Sequence, residues 1–326
     1  MKLKSIVTSL LCLLTIACAR LNDTIAGDSA PVTSTNIEMA RSQTSIPFTQ
    51  SDGVPTSLQD RWIVDATEAK QLIESGAILL DARGRATRGQ LQGAIPVSWQ
   101  EFSPNDAIHR GQLLEDDGQL TEKLQGLGIS ADTPVVVFSN PPEGWGEDGR
   151  IVWMLRTLGH SQAVMVDGGF AALVAANVPE QKDKPLTPIP GDFVVQRNPD
   201  WAIAKDQLKE QLPEDDIVII DSREPREFAG KTPYGERRGG HVPGAVNLYF
   251  KDFLQPNGML LSQPEVLQKL AEVGITQETE VVVYCTGGIR SAWLAAMLVT
   301  LGINVRNYAG SMWEWSASPA DSYPLE

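Results

Sequence analysis

Cysteine is nearly absent from this sequence. Of 326 residues only Cys12, Cys18 and Cys285 carry a thiol, and the first two fall in an N-terminal apolar stretch. Without that stretch the body holds one thiol, so no internal disulfide can form and Cys285 is a candidate reactive group. Histidine is scarce too: His109, His160 and His241 are the whole set, and no Cys-x-x-Cys pair occurs. A metal site has little to build on, and no metal or cofactor is expected. Positive charge is outnumbered, with 27 Lys and Arg against 41 Asp and Glu and a formal net charge of -14. Such a surface repels a phosphate backbone, which argues against nucleic acid as a general partner.

The apolar run over residues 6–17 is too short to span a bilayer comfortably. It follows Lys2 and Lys4, and a positive start before a short apolar core reads as an export signal. The run ends Leu14-Thr15-Ile16-Ala17-Cys18. A small residue before a cysteine is similar to a bacterial lipobox, where cleavage leaves Cys18 as a lipidated N-terminus. A plain cleaved signal and an uncleaved anchor are the alternatives. The expectation is an exported bacterial chain, periplasmic or held to the envelope, that meets a membrane only through this N-terminus. The sequence leaves its oligomeric state open.

What remains is globular in composition, 42% hydrophobic and 21% charged, and long enough for two domains. Residues 1–18 form the signal. Residues 19–60 are rich in Ser, Thr, Pro, Asn and Asp without apolar period and read as a tether. A polar, proline-rich stretch inside a linker over 181–200 separates two halves, 61–180 and 201–326. The halves repeat each other. Ala77-Ile-Leu-Leu-Asp81-Ala-Arg83 matches Ile217-Val-Ile-Ile-Asp221-Ser-Arg223, and Thr133-Pro-Val-Val-Val-Phe138 matches Thr279-Glu-Val-Val-Val-Tyr284. Continuous β-branched runs suit strands covered on both faces. Ser262-Gln-Pro-Glu265 predicts a capping box opening a helix to about residue 273. Residues 290–301 are apolar nearly all round and predict a buried helix. Strands alternating with helices predict two α/β domains, each a small parallel sheet with helices on both faces.

Cys285 ends one of these strands, where open α/β sheets place their sites. The loop Thr286-Gly-Gly-Ile-Arg290 contains no proline, so every N–H from 286 to 290 is available, and its glycines permit a tight curl. A curled loop at a helix N-terminus cradles anions. Five inward amides together with Arg290 would favour thiolate over thiol, and would equally hold the outer sulfur of a persulfide. Attack by the thiolate on a sulfane sulfur, then transfer onward, makes a two-step covalent cycle.

Several ordered motifs now agree. They are Asp221-Ser-Arg-Glu-Pro-Arg-Glu-Phe228, Arg238-Gly-Gly-His-Val-Pro-Gly-Ala-Val-Asn247, the Cys285 loop and Tyr308-Ala-Gly-Ser-Met-Trp-Glu-Trp315. In the first half they are Arg150-Ile-Val-Trp-Met-Leu-Arg-Thr-Leu-Gly-His160 and Asp167-Gly-Gly-Phe170. Together they resemble the tandem-domain rhodanese family, which includes thiosulfate and 3-mercaptopyruvate sulfurtransferases. The resemblance implies two rhodanese-like domains, Cys285 as persulfide carrier, and Arg223 reaching the donor's anionic group. The backbone of Thr286, Gly287, Gly288, Ile289 and Arg290 would form the cradle. Partners would be a small anionic sulfur donor and a thiol or cyanide acceptor. The loop departs from the pattern: Thr286-Gly287 is neither the basic pair of thiosulfate enzymes nor the Gly-Ser of mercaptopyruvate enzymes, and Arg290 is similar to the single-domain rhodaneses. The donor is therefore open.

Other readings stand beside these. The alternative for Arg223 is a structural arginine pairing Asp221 or another acid, with Arg83 as its counterpart in the repeat. His241 suits a turn or core better than a general base, and Trp313 and Trp315 suit packing better than a lid. Related phosphatases and arsenate reductases space cysteine and arginine by five residues, whereas four separate Cys285 from Arg290. A non-enzymatic envelope module binding sulfide or a partner is the third class. In the first half Ser139 stands where Cys285 does, followed by Asn140-Pro141-Pro142, and ten residues separate it from Arg150. Two prolines and a long loop cannot form the same cradle, so that half is expected to be inactive and to wall the cleft.

Overall fold

The computed structural model describes residues 48–50, 57–84, 89–181, 187–212 and 217–326. The expected signal, with Cys12 and Cys18, and nearly all of the tether lie outside them.

The first half contains five strands, β1 (Ile63–Val64), β2 (Ile78–Asp81), β3 (Ile95–Pro96), β4 (Val135–Phe138) and β5 (Ala163–Val166). They pair in the order β1-β5-β4-β2-β3, every pair parallel. Helices α1 (Ala66–Glu74), α2 (Asp117–Gly126), α3 (Glu147–Thr157) and α4 (Gly169–Ala175) fill the connections. The second half repeats the plan with helix α5 (Lys205–Gln211), strand β6 (Ile217–Asp221), helix α6 (Pro225–Phe228) and strand β7 (Val246–Asn247). Helix α7 (Gln263–Ala271), strand β8 (Glu280–Tyr284), helix α8 (Arg290–Thr300), strand β9 (Val305–Asn307) and helix α9 (Ser311–Trp315) complete it. Its sheet runs β7-β6-β8-β9, all parallel. A lone parallel bridge from Ala202 to Asn307 stands where β1 meets β5 in the first half.

Alternation along the central strands shows why both must be continuous hydrophobic runs. In β8, Val281 and Val283 enter one buried cluster while Val282 and Tyr284 enter another. In β4, Val135 and Val137 join the cluster of Val281 and Val283, and Val136 and Phe138 turn away to a third. Successive side chains point to opposite faces, so a strand covered on both sides needs an apolar residue at every position. The shared cluster lies between the halves and contains α3 and α8.

Every residue of α8 is buried, as its composition predicts. The reason is that α3 packs directly against it. A Cβ on Gly149 would stand 2.3 Å from the Trp293 Cα, and one on Gly146 would stand 2.6 Å from the Trp293 Cβ, so only glycine allows this approach. Helix α7 starts as expected, though with half of the capping box: the Ser262 N–H and hydroxyl both donate to Glu265, at 2.8 and 2.6 Å.

Candidate active site

Strand β8 delivers Cys285 to the C-terminal edge of its sheet, and α8 begins five residues later. The Cys285 N–H donates to Ser311 Oγ at 3.1 Å. The carbonyls of Cys285 and Thr286 accept the N–H groups of Met312 and Trp313 at 3.1 and 2.9 Å. The loop is thereby pinned to the start of α9. Its glycines are required by their neighbours. A Cβ on Gly287 would meet the Trp313 ring at 2.0 Å. Gly288 has φ +79°, and its Cβ would come 2.6 Å from the Ala309 carbonyl.

Cys285 is 1% exposed, yet it forms part of the wall of a cavity of about 230 Å³. Its Sγ accepts the Gly288 N–H at 3.1 Å. The N–H groups of Thr286 and Ile289 have no protein acceptor among the described residues. Burial pushes the thiol up, but the Arg290 charge, the N–H and hydroxyl of Ser291 and the Gly287 N–H outweigh it, and the thiol lies below its ordinary value. Ser291, one residue past the segment singled out from sequence, is therefore part of the sulfur's surroundings.

The arginines differ from expectation. Arg223 does not line the cavity. It is fully buried, donates to both Asp221 carboxylate oxygens at 2.6 to 2.9 Å, and reaches the Gly240 carbonyl at 2.8 Å. Arg83 does the same in the first half, donating to Asp81 and to the Gly89 carbonyl at 2.7 Å. The same clamp recurs where no cysteine exists, so Arg223 is placed as a structural arginine would be, away from the cavity, rather than where the resemblance would have it reach a donor's anionic group. Arg290 does line the cavity, but it is not a free cation. Its Nη1 and Nη2 donate to Glu227 at 2.6 and 2.9 Å, and Nη2 also donates to Thr286 Oγ1 at 2.6 Å. Burial works against the charge on Arg290, and Glu227 with Cys285 overcomes it. The Thr286 hydroxyl in turn donates to Glu227 at 2.8 Å, with Glu236 at 3.3 Å. Sequence reasoning passed over Glu227 although it lies inside the 221–228 motif.

The first half contributes four of the ten residues that line the cavity. Trp99, Gln100, Trp145 and Glu147 face Cys285, Thr286, Ile289, Arg290, Tyr234 and Trp313. Trp145 belongs to the long loop that stands in place of the cradle, and Glu147 opens α3 just after it. That loop leans on the second half, where the Pro142 carbonyl accepts Lys251 Nζ at 3.1 Å. Its extra length was the available signal that it could reach the second half. Trp313 lines the cavity, with its Nε1 donating to the Tyr234 carbonyl at 2.9 Å, so it does more than pack. Trp315 is buried and donates to the Pro324 carbonyl. His241 stacks on Phe228 at 3.7 Å and takes no part.

Arg150, opening α3, reaches the loop from the other half. It is fully buried and its Nη1 lies 3.4 Å from the Gly288 carbonyl. Beside it, Asp148 is 1% exposed near Ser139, the counterpart of Cys285. Burial pushes the Asp148 carboxyl up to about 7, and the Ser139 hydroxyl, not aligned for a hydrogen bond, offsets only part of this. Between the unfolded value near 4 and that raised value the folded chain binds more protons, so Asp148 makes stability fall as pH rises through this window. Asp148→Asn should flatten that fall, worth on the order of 3 kcal/mol, in urea titrations at pH 4.5 and 7.5. An unchanged pH dependence would contradict the assignment.

Comparison with known proteins bears on the family and the fold. Residues 65–176 and 204–318 each match the rhodanese-like domain family. The chain is 30% identical over 242 residues to the thiosulfate sulfurtransferase of Azotobacter vinelandii, covering 74% of this chain and 87% of that one. It is 31% identical over 277 residues to the human 3-mercaptopyruvate sulfurtransferase, covering 80% and 92%. Its fold matches the crystal structure of SseA from Escherichia coli, described as a 3-mercaptopyruvate sulfotransferase, with a TM-score of 0.66 at 21% identity over 77% of this chain and 98% of that one. With one such domain in each half and the cysteine loop in the second, the chain belongs to the tandem-domain rhodanese family of sulfurtransferases.

Proposed function

We propose that this chain moves a sulfane sulfur from thiosulfate or 3-mercaptopyruvate to a thiol or cyanide through a persulfide on Cys285. The observation that carries this reading is a thiol held below its usual range at a cavity wall, with the Gly288 N–H on its sulfur and the Thr286 and Ile289 amides unsatisfied beside it. The Cys285 thiolate attacks the outer sulfur of thiosulfate. The sulfur–sulfur bond of the donor breaks, and sulfite leaves with the electron pair. The persulfide retains one negative charge, which the remaining loop amides meet. Cyanide or a thiolate then attacks the outer sulfur and Cys285 leaves as thiolate. The donor's charge falls to these amides, because Asp221 holds Arg223 and Glu227 holds Arg290. The first half is non-catalytic in this scheme and serves as a wall.

Intact mass of the purified chain tests the reading. After thiosulfate, or separately 3-mercaptopyruvate, a gain of about 32 Da on Cys285 is expected, removed by cyanide. No gain with either donor overturns it, and the ratio of the two gains ranks the donors. We propose further that the chain is exported and anchored through a lipid on Cys18. Labelled palmitate incorporated into the native chain but not into Cys18→Ser is the expected result, and equal labelling of both rejects the anchor.

A further inference from the structure

Two arginines, Arg150 and Arg156, sit buried on α3 six residues apart, and their surroundings differ. Arg156 donates to carbonyls of Leu58, Gln59, Arg61, Ser161 and Ala163, which satisfies its whole fork. Arg150 has one good hydrogen bond, to the Gly111 carbonyl at 2.7 Å. Its other contacts are long: Ser103 Oγ and the Gly288 carbonyl at 3.4 Å, and the Gln112 carbonyl at 3.5 Å. Its Nε has no partner, and it forms no ion pair among the described residues. A fully buried guanidinium without a carboxylate is costly unless some other anion compensates it.

The candidate anion is close. Gly288 has its N–H on the Cys285 sulfur and its carbonyl at Arg150, and a Cβ on Gly288 would stand 2.9 Å from Arg150 Nη1. Arg290 is the strongest of the other charges acting on the sulfur. Arg290 is paired with Glu227 and Arg223 with Asp221. Glu236 contacts Thr286, Glu147 lies on the cavity wall, and Arg110 stacks behind Trp313 at 3.7 Å. On α3 itself, Asp148 is held toward its neutral form by burial. Lys251 lies beyond Trp145, 5.5 Å from its ring. Arg150 is thus a fully buried cation beside the loop with no carboxylate partner among the described residues.

We propose that Arg150, supplied by the first half, is a positioning residue whose charge adds to that of Arg290 in holding the Cys285 sulfur as an anion across the boundary between the halves. Burial draws Arg150 down to about 9, and a charged Cys285 is the group that opposes this. The inference rests on Cys285 as the reacting thiol, but its test needs no sulfur donor. The rate of alkylation of the full-length protein by iodoacetamide, followed against pH, gives the thiol midpoint directly.

Arg150→Gln should move that midpoint up by at least about one pH unit, while Arg150→Lys should stay within about half a unit of the native chain. A glutamine variant with native circular dichroism and a native midpoint overturns the proposal. Should the glutamine variant fail to fold, the lysine variant decides: a near-native midpoint supports the charge, and a rise of a full unit rejects it. If the midpoints behave as stated but no chain gains sulfur, Arg150 keeps its role and the sulfur-transfer reading fails.

Discussion

Cys285→Ser leaves the fold intact and lowers sulfur transfer by at least about 10³-fold, with no mass gain from any donor. The substitution is nearly isosteric, and the Gly288 N–H that meets Sγ at 3.1 Å keeps an oxygen acceptor. What disappears is the nucleophile. The Arg290 charge and the Gly287 and Ser291 donors bring a thiol below its ordinary value, but a hydroxyl starts far higher and needs a base at hydrogen-bond distance. None of the cavity-lining residues is a histidine, and the Glu227 carboxylate is already engaged by Arg290 and Thr286. The other carboxylate on the cavity wall, Glu147, accepts the Trp145 N–H and makes no hydrogen bond to residue 285 among the described residues, so a serine here would lack a base in contact with it. Thiocyanate formation from thiosulfate and cyanide measures the loss, and a serine variant within tenfold of the native rate would sink the persulfide mechanism.

The repeat made both the sheets and the position of Cys285 legible before any coordinates. Matched strand–Asp–x–Arg and strand–Cys or strand–Ser segments fix a parallel sheet in each half, and a continuous apolar run such as Val281-Val-Val-Tyr284 can only be covered on both faces. Less legible was the state of each arginine. The resemblance brought Arg223 to the site and the sequence put Arg290 at the end of the loop, but neither showed that Asp221 and Glu227 consume them, because an ion pair depends on side-chain geometry rather than spacing. The comparison of Arg83 with Arg223 held a clue, since the same Asp-x-Arg appears in the half without a cysteine. Arg150 was hidden for a different reason. Its partner loop lies 138 residues away in sequence, and only the packing of α3 on α8, through Gly146 and Gly149 against Trp293, brings them together.

Glu227→Gln should produce two effects of opposite apparent benefit. Glu227 is fully buried and ties Arg290 and Thr286 to α6. Removing its charge strands Arg290 at 3% exposure without an acid, and breaking such a pair costs about 3–5 kcal/mol. Urea unfolding at pH 7.5 should report that loss. Burial alone would raise the Glu227 carboxyl, but Arg290 holds it below its usual value. Its stabilisation is therefore present above the unfolded value and is lost as pH falls through the folded one, so native and variant curves should converge in acid. The thiol should respond the other way. Arg290, no longer neutralised, acts on the sulfur with its full charge, and the alkylation midpoint of Cys285 should fall below the native one. A less stable protein with a more acidic thiol is the signature of a carboxylate that screens its arginine. A variant of native stability would mean that the pair is not what secures the loop, and a raised midpoint would mean that Arg290 lowers the thiol only while Glu227 orients it.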